Sequence, residues 1–242
     1  MRPMCVVALA WQVHPDYPLI LLGNRDEFHA RAAVPLHRWG DDSGLVAGRD
    51  LQAGGTWLGL HAPSGRAVVV TNVRGAPPDP AKASRGALVT DLLRGQGDFS
   101  DPHAIDLDRF NAFNLLMIDP EQALLLSNRP LAQRRSLVAG IHALANEAPD
   151  TLCPRAARLG AHLSKAVERG QHPEELLDAL LDEQPPALFL RSAHYGTRAS
   201  TLLFIDTKGA ARMIERRFDA GGQSSGTTTL NLQTGRGSPL RS

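Results

Sequence analysis

The chain has 242 residues, 43% of them hydrophobic, and its 26 basic and 25 acidic residues leave a formal net charge of +1. That length and composition suit one sizeable domain, and the near-neutral charge argues against nucleic acid as a partner and favours a small molecule. Because no apolar run approaches the roughly 18 residues of a membrane span and no signal-peptide cleavage pattern follows residues 5–11, we expect a cytoplasmic protein that does not span a membrane.

Short apolar runs rich in Val, Leu and Ile predict a series of β-strands. In chain order the predicted strands are 5–11, 18–24, 56–60, 66–72, 113–119, 123–127, 135–139, 141–145, 200–206 and 210–217. The runs 135–139 and 141–145 are interpreted as a hairpin that turns at Gly140.

Helix signals lie between these runs. Ser84 is a candidate N-cap for a helix that ends at 93, and a second helix could begin at 101 or 102. The longest helical pattern covers 154–168, and a further helix is predicted over 173–181, where a proline followed by two glutamates suits a helix N-terminus.

Beyond residue 218 the composition changes to Gly, Ser and Thr with scattered Arg. We expect 219–242 to be a flexible tail after a single domain at 1–218, because so polar a segment buries little surface. Strands at both ends of the domain with helices between them favour an α+β fold with layered sheets.

The two cysteines, Cys5 and Cys153, are too few for a disulfide framework, and no spacing of cysteines or histidines indicates a metal site. A cysteine that heads an apolar strand, as Cys5 does, is usually a small buried hydrophobe. If translation starts at Met4, however, removal of the initiator leaves Cys5 as the first residue. A terminal cysteine carries its own base, an α-amino group with a pKa of about 7.7–8.0. An initiator methionine before Arg2 is normally retained, so a chain that starts at Met1 would keep four residues ahead of Cys5. We therefore predict that Met4 is the true start.

Four polar residues, Asn24, Arg25, Asp26 and Glu27, follow the apolar run 19–22. An exposed turn is one interpretation. The other is that these side chains end a strand buried on both faces, where charges must pair. An arginine beside a thiol favours the thiolate, and a carboxylate there could orient an α-ammonium group.

Polar residues also end later strands. Asn72 follows the run 67–70 and Asn146 follows 141–145, so each amide could donate to a developing oxyanion or shape a turn. Arg198 could bring a second cation to the site, with an exposed loop charge as the alternative. Two further candidates for contact with a bound ligand are Trp57, for which core packing is the alternative, and Arg74.

Together these residues resemble the NRDE family, which includes the transport and Golgi organisation protein 2 homologues. The resemblance covers roughly 4–218. Its motifs are Met-Cys at a strand start, Asn24-Arg25-Asp26-Glu27, Gly54-Gly55-Thr56-Trp57-Leu58-Gly59, Thr71-Asn72, Leu144-Ala145-Asn146 and Tyr195-Gly196-Thr197-Arg198. It implies a fold related to the N-terminal nucleophile hydrolases, a four-layer αββα sandwich.

A more distant similarity, to cholylglycine hydrolases and penicillin V acylases, implies catalytic roles. Those enzymes use a terminal cysteine, a nearby arginine and aspartate, two asparagines and a late arginine. The matching order here is Cys5, Arg25 with Asp26, Asn72, Asn146 and Arg198, which we expect to line one cleft. The acylases separate their arginine and aspartate by two residues, so an ungapped comparison places Asn24 and Glu27 in those slots instead. The sequence leaves open which of these four residues points toward Cys5.

Two classes of function follow. A cysteine amidohydrolase would attack a linear amide with the Cys5 thiolate, transfer protons through its α-amine and stabilise the oxyanion with Asn72 and Asn146. A binding or trafficking protein would keep the pocket without turnover. The resemblance implies this class too, because family members are associated with haem handling and lipid homeostasis. The expected ligand is a small amide or a haem-like molecule, with no required cofactor.

Overall fold

The computed structural model describes residues 5–41, 43–75 and 77–235. Within these residues the apolar runs form antiparallel strands whose side chains alternate between two faces. In chain order the strands are β1 (Val6–Trp11), β2 (Leu19–Phe28), β3 (Ala33–Arg38), β4 (Leu45–Asp50), β5 (Leu58–His61), β6 (Arg66–Asn72), β7 (Phe113–Ile118), β8 (Ala123–Ser127), β9 (Gln133–Leu137), β10 (Gly140–Leu144), β11 (Tyr195–Ile205), β12 (Ala210–Phe218) and β13 (Ser224–Gln233).

The strands form two stacked sheets. The first sheet has the order β10-β1-β2-β11-β12-β13 and the second runs from β3 to β9 in sequence order. Side chains such as Leu9 and Leu21 from the first sheet and Val69 and Leu116 from the second form one buried apolar cluster between them. That cluster holds the two sheets face to face.

Each sheet is covered by a helix on its outer face. Helix α1 (Arg85–Arg94) packs on β4, β5 and β6, and α2 (Pro154–Glu168) packs on β1 and β10. Ser84 caps α1 by accepting a hydrogen bond from the Ala87 amide at 3.3 Å. The layers therefore follow the order helix, sheet, sheet, helix, which confirms the expected α+β αββα sandwich.

Most of the central strands and both long helices were predicted correctly. The hairpin predicted over 135–139 and 141–145 is wrong: β9 and β10 are edge strands of different sheets, so the chain crosses between sheets near Gly140. The helix predicted from 101 or 102 is also wrong. The Asp101 carboxylate caps a turn by accepting from the His103 amide, and only a short 3-10 helix follows at Leu107–Arg109.

The segment predicted as one helix over 173–181 forms two 3-10 helices, Pro173–Leu177 and Ala179–Leu181. The expectation of a flexible tail after 218 is wrong for β13, which pairs with β12 along its length and buries Leu232 between the sheets. Residues 236–242 of that tail lie outside the described residues. Within the described ranges, no helix is long and apolar enough to cross a membrane.

Candidate functional site

The alternation along β2 decides where its four polar side chains point. Leu21 packs between the sheets and Leu22 packs toward α2, so residues of odd number face the space between the sheets. Arg25 and Glu27 accordingly line a cavity there. Asn24 points the other way.

Asn24 is fully buried beneath the 3-10 helices and does not line the cavity. Its amide donates to the carbonyl oxygens of Leu180 at 2.8 Å and Leu188 at 2.9 Å, and its carbonyl accepts from Ser200 Oγ at 2.6 Å. These bonds tie the segment after α2 to the first sheet. The expectation that Asn24 belongs to the catalytic group is therefore not supported by its position, because the strand directs it to the opposite face.

The cavity has a volume of about 680 Å³ and lies between the sheets, beside the N-terminus of α1. Of the residues singled out from the sequence, those that line it are Cys5, Arg25, Asp26, Glu27, Trp57, Asn72 and Arg198. The structure thus brings residues from both sheets to one cleft.

Cys5 precedes β1 and is 8% exposed. Its Sγ lies 3.9 Å from the backbone oxygen of Asp26. Burial, followed by the negative charge of Asp26, raises the pKa of the Cys5 thiol to about 11, and the nearby charge of Arg25 acts in the opposite direction. A thiol with this pKa is almost entirely protonated at neutral pH, so its activation needs a base.

Asp26 is the most buried carboxylate of the site. Its Oδ2 lies 2.7 Å from Arg155 Nη1, and its Oδ1 accepts from Thr197 Oγ1 at 2.6 Å. The Tyr195 hydroxyl donates to its backbone oxygen at 2.9 Å. Burial raises the pKa of the Asp26 carboxyl, and the largest opposing effect is the charge of Arg155. The carboxylate is therefore held by Arg155 and Thr197, while the main chain of Asp26 contacts Cys5.

Asn146 links the two sheets behind the cavity wall. Its side-chain nitrogen donates to the Asn72 backbone oxygen at 2.9 Å and to the Cys5 backbone oxygen at 3.4 Å. It is 1% exposed and does not line the cavity. Because both amide hydrogens face carbonyl groups, Asn146 is placed to position Cys5 and Asn72, whereas the expected role was donation to an oxyanion.

The cavity's arginines differ in their partners. Arg25 Nη2 lies 3.3 Å from Asp50 Oδ2 and 3.6 Å from Glu27 Oε2, so it joins β2 to the end of β4. Arg198 lies at a β-bulge in β11, with its Nη1 3.3 Å from His29 Nδ1. Arg25 is therefore compensated by carboxylates, whereas the partner of Arg198 is a histidine.

The two predicted ligand contacts have different outcomes. Trp57 lines the cavity and also packs against the buried clusters on either side of the second sheet. Arg74 does not line the cavity. Its Nη1 lies 3.4 Å from Glu147 Oε1, and its side chain is 43% exposed. Arg74 turns outward because the chain leaves β6 two residues earlier.

Two residues of the site were missed in the sequence. Arg155 lies in the first turn of α2 and Arg85 is the first residue of α1. A cation at a helix N-terminus is opposed by the helix dipole, so each was a signal that a buried partner or a ligand compensates the charge.

Comparison with known proteins agrees with this architecture. A family model described as Transport and Golgi organisation 2 matches residues 4–220. The human Transport and Golgi organization protein 2 homolog is 27% identical over 256 aligned residues, which cover 88% of this chain and 92% of the human protein. The Drosophila melanogaster Transport and Golgi organization protein 2 is 30% identical over 147 residues, 52% of each chain.

Among solved structures, the Caenorhabditis elegans N-acylethanolamine-hydrolyzing acid amidase ortholog superposes with a TM-score of 0.51. It shares 13% sequence identity, and the match covers 82% of this chain and 92% of the amidase. This likeness shows the N-terminal nucleophile hydrolase fold. With the family model matching nearly the whole described chain, the protein belongs to the Transport and Golgi organisation 2 family.

Proposed function

We propose that the protein is a cysteine hydrolase that cleaves a linear acyl amide bound between its two sheets. The observation that carries the proposal is the position of Cys5, which lines a cavity of about 680 Å³ together with Asp26 and Asn72. The amidase named above has the same fold, and its name describes hydrolysis of an acyl amide. Fold alone does not determine activity, and the chemistry of these residues is what supports hydrolysis.

The reaction requires that Cys5 be the first residue of the mature chain. Its neutral α-amine then takes the thiol proton, and the thiolate attacks the carbonyl carbon of the amide. As the tetrahedral intermediate collapses, the C–N bond breaks, the α-ammonium returns the proton to the leaving amine, and an acyl thioester forms. The α-amine next takes a proton from water, whose oxygen attacks the thioester, and the acid is released with the regenerated thiol.

The surrounding residues suit these steps. The Asp26 main chain contacts Cys5 Sγ, and its carboxylate, fixed by Arg155 and Thr197, is the candidate group to stabilise the α-ammonium of Cys5 by its negative charge. Asn72 is the cavity-lining amide at the end of β6 and is the candidate donor to the oxyanion. Asn146 keeps the Cys5 and Asn72 main chains in register.

The second candidate is a carrier that binds a haem-like or lipid ligand without turnover. The raised pKa of the Cys5 thiol, about 11 while its nitrogen is in a peptide bond, favours this candidate because such a thiol is a poor nucleophile at neutral pH. In either case we propose a cytoplasmic protein whose partner is a small molecule.

The two candidates are separated by one set of measurements. Purified protein is incubated with a panel of acyl amides, and released amine is measured for the wild type and for Cys5→Ser. The same preparations are titrated with haem. Turnover lost in Cys5→Ser supports the hydrolase. Saturable haem binding that Cys5→Ser leaves unchanged, with no amide turnover, contradicts the hydrolase and favours the carrier.

A further inference from the structure

The cavity carries more positive than negative side chains. Among the described residues, its basic lining consists of Arg25, Arg31, Arg49, Lys82, Arg85, Arg198 and Arg217, and its acidic lining of Asp26, Glu27, Asp50, Asp79 and Glu215. Ion pairs with acidic residues of this lining neutralise Arg25, Arg31 and Arg217. The remaining cations raise the question of what balances them.

Arg85 has no carboxylate within 4.0 Å in the part of the chain that the structure describes. Its Nη1 donates to the Ala112 carbonyl at 3.0 Å, which fixes the guanidinium without neutralising it. It also begins α1, where the helix dipole opposes a positive charge. Burial and the positive charge of Arg31 lower the pKa of Arg85. The helix dipole, the burial and the charge of Arg31 each favour a negative ligand group beside Arg85.

Arg85 lines the same cavity as Cys5, and the negative charge of Glu27, which raises the pKa of Arg85, offsets part of these effects. Arg198 lines the same cavity from the first sheet, and in the described residues its polar contact is His29. His29 Nε2 lies 2.9 Å from the Ser192 carbonyl, so it is the donor there and Nδ1 accepts from Arg198. The histidine is therefore a neutral partner that leaves the Arg198 charge uncompensated.

We propose that Arg85 binds an anionic group of the ligand, a carboxylate or a phosphate, that lies close to the amide attacked by Cys5, and that Arg198 adds positive charge to the same subsite. Guanidinium groups bind both anions through paired hydrogen bonds. Trp57, Val70 and Phe218 supply apolar lining for the rest of the ligand. The position of the amide rests on the proposed function, whereas the anion subsite rests on the cavity itself.

The test compares soluble probes that share an octanoyl amide and differ in the charged or neutral group that ends the molecule. Wild-type protein is titrated by calorimetry with N-octanoylglycine, N-octanoylethanolamine and the phosphate ester of the latter, and release of octanoate is measured in the same samples. We expect at least one anionic probe to bind about tenfold or more tightly than the neutral probe, as charge-assisted hydrogen bonds imply. Whichever anionic probe binds more tightly identifies a carboxylate or a phosphate as the preferred group.

Variants then assign the preference to one side chain. Arg85→Gln should reduce it to about twofold or less, and Arg85→Lys should retain most of it because the charge remains. Arg94→Gln is the matched control. It lies on the same helix, pairs with Asp41 and does not line the cavity, so the preference should be unchanged.

A wild type that binds charged and neutral probes equally would overturn the proposal, and this comparison needs no variant to fold. A preference that survives in folded Arg85→Gln would overturn it as well. Tight binding of an anionic probe without octanoate release would contradict the hydrolase and leave the anion subsite supported. Turnover of all probes, bound with equal affinity, would support the hydrolase and overturn the anion subsite.

Discussion

The buried ion pair between Asp26 and Arg155 provides the most quantitative prediction. Replacing Arg155 with methionine keeps the apolar stem but removes the guanidinium from a carboxylate that is fully buried. Loss of one partner from a buried pair typically costs about 3–5 kcal/mol, and Arg155 also donates to the carbonyls of Ala187 at 3.0 Å and Leu188 at 2.5 Å. We therefore expect Arg155→Met to lower the free energy of unfolding by about 3–5 kcal/mol.

The loss of stability caused by Arg155→Met should be larger at high pH than at low pH. The pKa of the Asp26 carboxyl is already above its ordinary 3.8 in the folded protein, and removing the largest opposing charge raises it further. Between the unfolded and folded pKa values the folded state binds more protons, so stability falls as the pH rises through that window. Arg155→Met should thus be more destabilised at about pH 8 than at about pH 5, relative to the wild type at each pH.

Urea unfolding at both pH values measures these effects. In a double-mutant cycle with Asp26→Asn, the two changes together should cost about 0.5–3 kcal/mol less than their sum. Arg158→Met, one turn further along α2, is the control, because its ion pair with Asp182 is partly exposed and should contribute about 1 kcal/mol or less. A cost for Arg155→Met no larger than that of Arg158→Met, or independent of pH, would refute the reasoning.

Three further predictions concern the positioning residue, the thiol and the last strand. Asn146→Ala should cost about 2–4 kcal/mol in urea unfolding, because it leaves two carbonyls without their donor, and a cost below about 1 kcal/mol would contradict its bracing role. In a chain that retains Met1, alkylation of Cys5 by iodoacetamide should accelerate about tenfold per pH unit from about pH 7 to about pH 10, and a plateau below about pH 9 would contradict a pKa of about 11. Leu232→Ala should cost about 2–5 kcal/mol in thermal unfolding, whereas Leu131→Ala, 77% exposed, should stay within about 0.5 kcal/mol; equal effects would mean that β13 does not contribute to the core.

The central strands were predictable because they are buried on both faces. The run Val6–Trp11 is continuously apolar and Phe113–Ile118 is apolar except for Asn114, and that pattern is visible without any tertiary information. Strands β3, β4 and β13 were missed because they carry polar or half-exposed side chains. Their strand conformation depends on pairing with neighbours, as with the Thr-rich β13 against β12.

The site was predictable only in part, because some of its contacts join residues that are far apart in the sequence. The ends of apolar strands indicated Cys5, Arg25 and Asn72, and the structure places these three residues around one cavity. Local sequence could not show that the Asn146 side-chain amide donates to two backbone carbonyls. Nor could it show that Arg155, 129 positions later in the chain, pairs with Asp26. Such contacts are fixed by the packing of helices on sheets.

Asn24 shows how a motif can mislead. Its place in an ungapped comparison suggested a catalytic role, whereas the period of two along β2 assigns it to the face opposite Arg25. The alternation of the strand was the better guide, because it depends on backbone geometry that substitution of side chains does not change.

The most direct test of the account is the intact mass of protein made from its native gene, recorded before and shortly after mixing with N-octanoylglycine. We expect a chain that begins at Cys5 and, after mixing and acid quenching, an added octanoyl group located on that residue. A chain that retains Met1 to Met4 and gains no acyl group would contradict the claim that Cys5 is a terminal nucleophile.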